Sequence, residues 1–208
     1  MEVYTLPIGS YGTNCYVAVD ADGKAAVIDP GLDTPQLQQL LREKTACVEI
    51  ILLTHGHADH ISGAAALRER TGAPICIHTL DDEFTDGPLC MAAECGYPFA
   101  PFRADRLLED DDLVAFGGET MDVLHTPGHT PGSVCFRHET DRVLFTGDTL
   151  FCLTAGRTDF PRSSRDDLMQ SLLRLRNLDG DYAVFPGHER ATSLDRERVR
   201  NFFMRRLK

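Results

Sequence analysis

Short apolar runs rich in β-branched residues recur along this chain, each closed by turn-forming residues: Cys15 to Val19, Ala25 to Ile28, Ile50 to Leu53, Ile75 to Ile77, Met121 to Leu124, Val134 to Arg137, Val143 to Phe145 and Tyr182 to Phe185. Runs of this length and composition predict strands. Between some of them lie longer amphipathic stretches, Thr34 to Glu43, Ser62 to Arg70, Ser164 to Leu175 and Ser193 to Leu207, each opened by a Ser or Thr suited to cap a helix. Strand and helix therefore mix throughout, which predicts an α/β class. The first two runs flank the turn Asp20-Ala21-Asp22-Gly23-Lys24 and form a hairpin-like pair.

Neither an internal repeat nor a low-complexity linker divides the chain, and 208 residues suit one domain spanning 1–208. A hydrophobic fraction of 42% supports an ordinary buried core. The net charge of −11 repels phosphate backbones, so nucleic acid is not an expected partner. The Arg-rich tail Arg196 to Lys208 is interleaved with Val199, Phe202, Phe203 and Leu207 and reads as a terminal helix with a polar face rather than a basic arm. No run approaches the roughly 18 apolar residues that span a bilayer, and Met1 leads straight into Glu2-Val3-Tyr4 without a basic and then apolar leader. No membrane partner and a cytoplasmic location are expected. The seven cysteines are odd in number and unpaired in spacing, which predicts reduced and mostly buried thiols.

The densest chemistry lies in Leu53-Thr54-His55-Gly56-His57-Ala58-Asp59-His60, where four candidate ligands fall within six residues at a predicted strand end. Imidazole and carboxylate suit Zn, Fe or Mn, and no thiolate set accompanies them. A tight turn can direct His55 and His57 to one point and Asp59 and His60 to a neighbouring one. An unliganded surface cluster is the bland alternative, but histidines held this close repel one another on protonation. Three more polar residues sit in Gly-bearing turns beside apolar runs: His129 in Thr126-Pro127-Gly128-His129, Asp148 in Thr146-Gly147-Asp148, and His188 in Pro186-Gly187-His188. Singly these are ordinary turns. With the first cluster they supply seven ligands, a number that suits two metal ions sharing one carboxylate and one hydroxide.

This His-x-His-x-Asp-His run, followed by a His, an Asp and a His, resembles the metallo-β-lactamase-fold superfamily along nearly the whole chain. The resemblance implies a four-layer αββα sandwich with the metal site at one edge. It also implies a first metal on His55, His57 and His129, a second on Asp59, His60 and His188, and Asp148 bridging them. Within the superfamily, Thr13-Asn14-Cys15-Tyr16, Ile28-Asp29-Pro30-Gly31, Gly128-His129-Thr130-Pro131-Gly132-Ser133 and Gly156-Arg157-Thr158-Asp159-Phe160-Pro161 are similar to the glyoxalase II group, especially its short single-domain members. That implies hydrolysis of a small-molecule thioester such as a hydroxyacylglutathione. The attacking group would be a metal-bridging hydroxide, since metal binding lowers the pKa of water to about 7. Two divalent ions, Zn first and Fe or Mn as alternatives, are the expected cofactors. Asp148 and Asp59 are the expected catalytic carboxylates, Asp59 as ligand first and proton relay second. Only 20 residues follow His188, so the C-terminal helical domain with which full-length glyoxalase II grips glutathione is not expected.

Two other readings share these residues. A related persulfide dioxygenase family has the same Gly-Arg-Thr-Asp-Phe segment and uses one iron at positions matching His55, His129 and Asp148. A non-catalytic metal-binding scaffold is the third. Asp29 has two roles open to it, orienting an imidazole through its second nitrogen or capping a turn. His78, His125 and His138 are assigned to no metal. Arg157, Arg162 and Arg165 suit either a substrate carboxylate or surface ion pairs with Asp159, Asp166 or Asp167. The irregular, aromatic segment from Asp81 to Arg106 suits a lid, an interface or a pocket wall. Oligomeric state is open.

Overall fold

The computed structural model describes residues 1–207. Its strands form two six-stranded sheets, each drawn from one contiguous half of the described chain. The first half supplies β1 (Glu2–Ile8), β2 (Thr13–Val19), β3 (Lys24–Ile28), β4 (Cys47–Leu52), β5 (Ile75–His78) and β6 (Arg106–Leu108), side by side in that order. β1 to β3 pair antiparallel and β3 to β6 parallel. The second half supplies β7 (Leu113–Phe116), β8 (Glu119–His125), β9 (Val134–His138) and β10 (Val143–Gly147), then β13 (Ala183–Pro186) and β14 (Thr192–Ser193). There β10 and β13 pair in parallel and the other pairs are antiparallel. A two-stranded hairpin of β11 (Leu150–Phe151) and β12 (Thr154–Ala155) stands apart from both sheets.

Side-chain alternation sorts the core into three layers. Tyr16, Ala26, Ile28, Ile50 and Leu52 of the first sheet face Met121, Val123, Phe136 and Phe145 of the second. The intervening residues Val17, Val27, Ile51 and Ile75 point outward against Leu37 and Leu41 of α1 (Pro35–Lys44) and Ala64 and Leu67 of α3 (Ala64–Thr71). On the far side Leu124, Leu144 and Val184 pack against Leu168, Leu172 and Leu175 of α5 (Arg165–Arg176) and Leu194 of α6 (Leu194–Arg200). The result is the expected four-layer αββα sandwich. Burial on both faces explains why β2 to β4 read as near-continuous apolar runs.

Every predicted strand is present within a few residues of its expected ends, and β1, β6, β7, β11, β12 and β14 lie outside the predicted runs. β1 is an edge strand carrying Pro7, which is tolerated only where no ladder hydrogen bond is needed. Two helices differ from expectation. The stretch Ser62 to Arg70 is broken: α2 (Ala58–Ile61) ends at Ser62, and α3 begins after Gly63. Ser62 therefore closes one helix rather than capping the next. The tail Ser193 to Leu207 splits at Asn201 into α6 and a 3-10 turn, Met204–Arg206, because the Asn201 side-chain oxygen accepts the Phe203 and Met204 amides. The caps Thr34, Ser164 and Ser193 form as expected.

Candidate metal centre

All seven sequence-predicted ligands come together in the turns that follow the carboxyl ends of β4, β8, β10 and β13. β4 leads into Leu53 and Thr54, where Asp29 takes control of the chain. Its carboxylate accepts the Thr54 amide at 2.8 Å and the Thr54 hydroxyl at 2.7 Å. The next turn presents His55 and His57, and α2 then carries Asp59 and His60 on its first turn. From the second sheet, the Val134 amide donates to the Thr54 carbonyl at 2.8 Å and brings the His129 turn beside the His55 turn. Gly187 lets the His188 turn close on Asp148: a Cβ there would stand 2.3 Å from Asp148 Oδ1 and 2.8 Å from His60 Cε1. Asn14 Nδ2 and Tyr16 OH both donate to the Pro186 carbonyl, which ties β2 of the first sheet to that turn.

Nitrogen and oxygen atoms converge at three overlapping points. His55, His57 and His129 form one group, Asp59, His60 and His188 another, and His55, His60 and Asp148 lie between them, with the donor atoms of each group within 4.8 Å of one another. Asp148 Oδ2 stands 3.4 Å from His129 Nε2 and 3.6 Å from His188 Nε2, while its Oδ1 is 3.4 Å from His60 Nε2. His188 Nε2 also lies 3.3 Å from Asp59 Oδ2.

The outer nitrogens decide which tautomer each ring adopts. His60 Nδ1 donates to Asp29 Oδ2 at 2.9 Å, His129 Nδ1 to the Arg157 carbonyl at 2.9 Å, and His188 Nδ1 to the Tyr11 carbonyl at 3.3 Å. His55 Nδ1 lies 3.1 Å from the Thr54 hydroxyl, whose own proton goes to Asp29. Each of these rings turns its Nε2 to the centre, the nitrogen through which it would bind metal once deprotonated. His57 is reversed, with Nδ1 2.9 Å from His129 Nε2. His55 Nε2 and Asp148 Oδ1 are buried without a hydrogen-bond partner among the described residues. Buried polar atoms without partners are costly, so the donor set fits divalent metal.

Electrostatics separates the two ends of the cluster. Burial, reinforced by neighbouring imidazoles, pushes His55 well below the usual histidine range and His57 down to about 3. Burial also lowers His129, with Asp148 opposing it. These rings are neutral and ready to ligate. At the other end burial opposes the charge on His60, but Asp59, Asp148 and Asp29 outweigh it and raise His60 to about 10. Asp59 is held below the ordinary carboxylate range: burial works against ionisation, while His60, His188 and the Thr13 hydroxyl favour it.

Asp29 thus takes the imidazole-orienting role, its carboxylate bonding His60 and Thr54 rather than capping its own turn, and another carboxylate carried no sequence signal. Asp81 is fully buried, accepting the Gly56 amide at 2.8 Å, the Thr130 hydroxyl at 2.7 Å and the Gly132 amide at 2.6 Å. It staples the His55-Gly56-His57 turn to the His129-Thr130 turn. His78, His125 and His138 lie outside the cluster; His78 stacks on His125 at 4.1 Å and His138 pairs with Glu119.

A cavity of about 380 Å³ opens over the cluster, walled by Tyr11, Met91, Glu94, Cys95, Arg157 and Phe160. Of the uses open to the Asp81 to Arg106 segment, the structure displays the pocket wall, through Met91, Glu94 and Cys95. Its Tyr97 and Phe102 turn inward and pack in the core. Arg157 pairs with Asp159 at 2.7 Å and lies over the Phe160 ring, and Arg162 pairs with Glu83.

The family model of the metallo-β-lactamase superfamily matches residues 8–188. The chain belongs to the metallo-β-lactamase superfamily. Hydroxyacylglutathione hydrolase GloC of Haemophilus influenzae is 34% identical over 98% of both chains. Among solved members of the superfamily fold, the BLEG-1 B3 metallo-β-lactamase superposes with a TM-score of 0.92 at 33% identity, covering 98% of this chain and 99% of its own. TTHA1623 in a di-iron-bound form gives 0.87 at 34% identity, covering 96% and 99%. ETHE1 from Myxococcus xanthus gives 0.81 at 29% identity, covering 98% and 85%. This membership in a metallo-hydrolase superfamily accords with the His and Asp donor set described above.

Proposed function

We propose that this protein is a metal-dependent hydrolase of a small-molecule thioester of the hydroxyacylglutathione type. In this reading two divalent ions bind, one on His55, His57 and His129 and the other on Asp59, His60 and His188, with Asp148 between them. Zinc leads, and iron or manganese suit the same donors. The observation that carries the reading is the complete second triad, whose donor atoms lie within 4.8 Å of one another beside the first. The likeness to GloC along its length supports the substrate class. One inner core shared by both sheets supports residues 1–207 acting as a single unit.

Bound ions there would supply a nucleophilic hydroxide at neutral pH and polarise the scissile carbonyl. The chain's own residues do the rest. Tyr11, Met91 and Phe160 give the cavity apolar walls that seat the thioester and exclude water. Asp59, kept ionised, accepts the Thr13 hydroxyl at 2.7 Å and offers a carboxylate beside the site to take up a proton released during attack. Departure of a thiolate needs little acid assistance.

The likeness to ETHE1 favours one second reading, the mononuclear-iron dioxygenase, which uses His55, His129 and Asp148 alone. Protein purified without oxygen and analysed for metal separates the two when assayed with S-lactoylglutathione, with glutathione persulfide in an oxygen cell, and with a chromogenic β-lactam. Thioester hydrolysis with two metals per chain and no oxygen uptake is expected. Oxygen uptake with a single iron, or turnover of the β-lactam alone, overturns the proposal.

A further inference from the structure

Separate from the cavity over the metal centre is a second cleft, of about 640 Å³, lined by Leu153, Arg196, Arg200 and Arg205. We propose that this cleft binds the phosphate groups of a small molecule bearing two or more phosphates.

The convergence of three guanidinium groups without carboxylate partners on one cleft carries the inference. The chain has a net charge of −11, and over half of its arginines stand in ion pairs, Arg68, Arg70, Arg103, Arg137, Arg157 and Arg174 each within 3.2 Å of an aspartate. Among the described residues, Arg196, Arg200 and Arg205 pair with no carboxylate. The acids nearest in sequence are already engaged. Asp195 pairs with Arg198 at 2.6 Å. Glu197 is fully buried and takes the Leu153 amide at 2.7 Å, the Thr192 hydroxyl at 2.7 Å and the Asn201 side-chain amide at 2.9 Å.

Geometry gathers the three guanidinium groups. Arg196 and Arg200 are one helical turn apart on α6, a spacing at which like charges repel. The break at Asn201 folds the tail back so that the 3-10 turn brings Arg205 to the same cleft. Leu153, exposed at the tip of the β11–β12 hairpin with φ of 68°, forms the opposite rim and is pinned to α6 by its bond to Glu197. Guanidinium forks match phosphate oxygens two at a time, and an anion seated among them turns mutual repulsion into attraction. A long polyanion would have to lie against the acidic remainder of the surface, so a small phosphorylated molecule fits and a nucleic acid does not.

The hairpin that carries Leu153 also reaches the metal centre. Phe151, two residues before Leu153, packs edge-on against His188 with ring centroids 5.9 Å apart. The phosphates can therefore belong either to an extended arm of the substrate or to a separate ligand.

Calorimetric titration of the metal-loaded protein with adenosine 3′,5′-bisphosphate tests the site. Saturable one-to-one binding is expected, weakened at least tenfold in the Arg196→Ala/Arg200→Ala variant, with fold intact by circular dichroism, and retained in Asp148→Ala. Binding that is absent, or equal in the arginine variant, or lost in Asp148→Ala overturns the proposal. With binding established, competitive inhibition of thioester hydrolysis assigns the phosphates to the substrate's arm. Unchanged hydrolysis assigns them to a separate ligand.

Discussion

Asp29 and Asp81 never point at the centre of the cluster, yet each governs residues that do. Asp29 fixes the His60 ring through Nδ1 and the start of the ligand turn through Thr54. Removing such a partner typically weakens metal binding ten- to a hundredfold. Asp29→Ala is accordingly expected to lose about that factor at the Asp59, His60 and His188 triad, read by competition with a chromogenic chelator; an unchanged affinity would count against the orienting role. Asp81→Ala leaves two buried amides and a hydroxyl without their acceptor, an expected loss of about 3 kcal/mol or more in chemical denaturation. Its acidity gives a second handle. Burial, partly offset by Thr130, Gly132 and Gly56, raises the Asp81 carboxyl from 3.8 to about 6. Between those values the fold keeps a proton that the unfolded chain has lost, so this group makes the metal-free protein less stable as pH rises through that window. Asp81→Asn is expected to remove that slope from the denaturation midpoints. The His55 to His60 run stood out in the sequence because its ligands are neighbours in the chain. Asp81 did not, because its three partners lie 25, 49 and 51 positions away and only folding brings them to it.

Turns at the ends of β4, β8, β10 and β13 act as a unit, and their glycines mark where backbones must nearly touch. Adding a methyl at Gly187 drives it into Asp148 Oδ1 and His60 Cε1. A displacement near 1 Å can cost on the order of a hundredfold in rate. Gly187→Ala is expected to lose hydrolysis by about that factor together with metal at the second triad, while circular dichroism stays that of the native fold. Wild-type turnover in that variant would mean the turn tolerates more than its packing allows. Elements with both faces buried were easy to read: β2, β3 and β4 announce themselves as apolar runs. The edge strand β1 hid behind Pro7 and its exposed positions, and the break between α2 and α3 hid because Ser62 looks like a helix start. Its true cause is tertiary, since the Gly63 amide bonds to the Pro30 carbonyl at 2.9 Å and a Cβ at Gly63 would strike that same strand-following loop.

Seen whole, the molecule is two sheets whose seam is closed at one edge by the cluster. Metal bound there, as proposed, would cross-link turns from both sheets in the native state only. At a free-metal concentration a thousandfold above the dissociation constant, each ion contributes about 4 kcal/mol to stability. For a chain of this size that corresponds to a fall of about 8 to 16 °C in the melting midpoint when one ion is stripped. Differential scanning calorimetry before and after chelation, with zinc restored as the control, measures it; an unchanged midpoint would argue that the donors bind no metal tightly. The fold class was legible from the alternation of runs and stretches, whereas the sharing of one site between two sheets came only from the family resemblance, because nothing local records which turns will meet.

The division of labour between the halves has a consequence for synthesis. The first sheet is complete at Leu108, and by then the chain has made His55, His57, Asp59 and His60 but not His129, Asp148 or His188. A nascent polypeptide at that stage owns neither finished triad. Under the proposed two-metal reading, tight loading would wait until the chain has passed His188 and its second half has docked, so a filled centre would report that both sheets have come together.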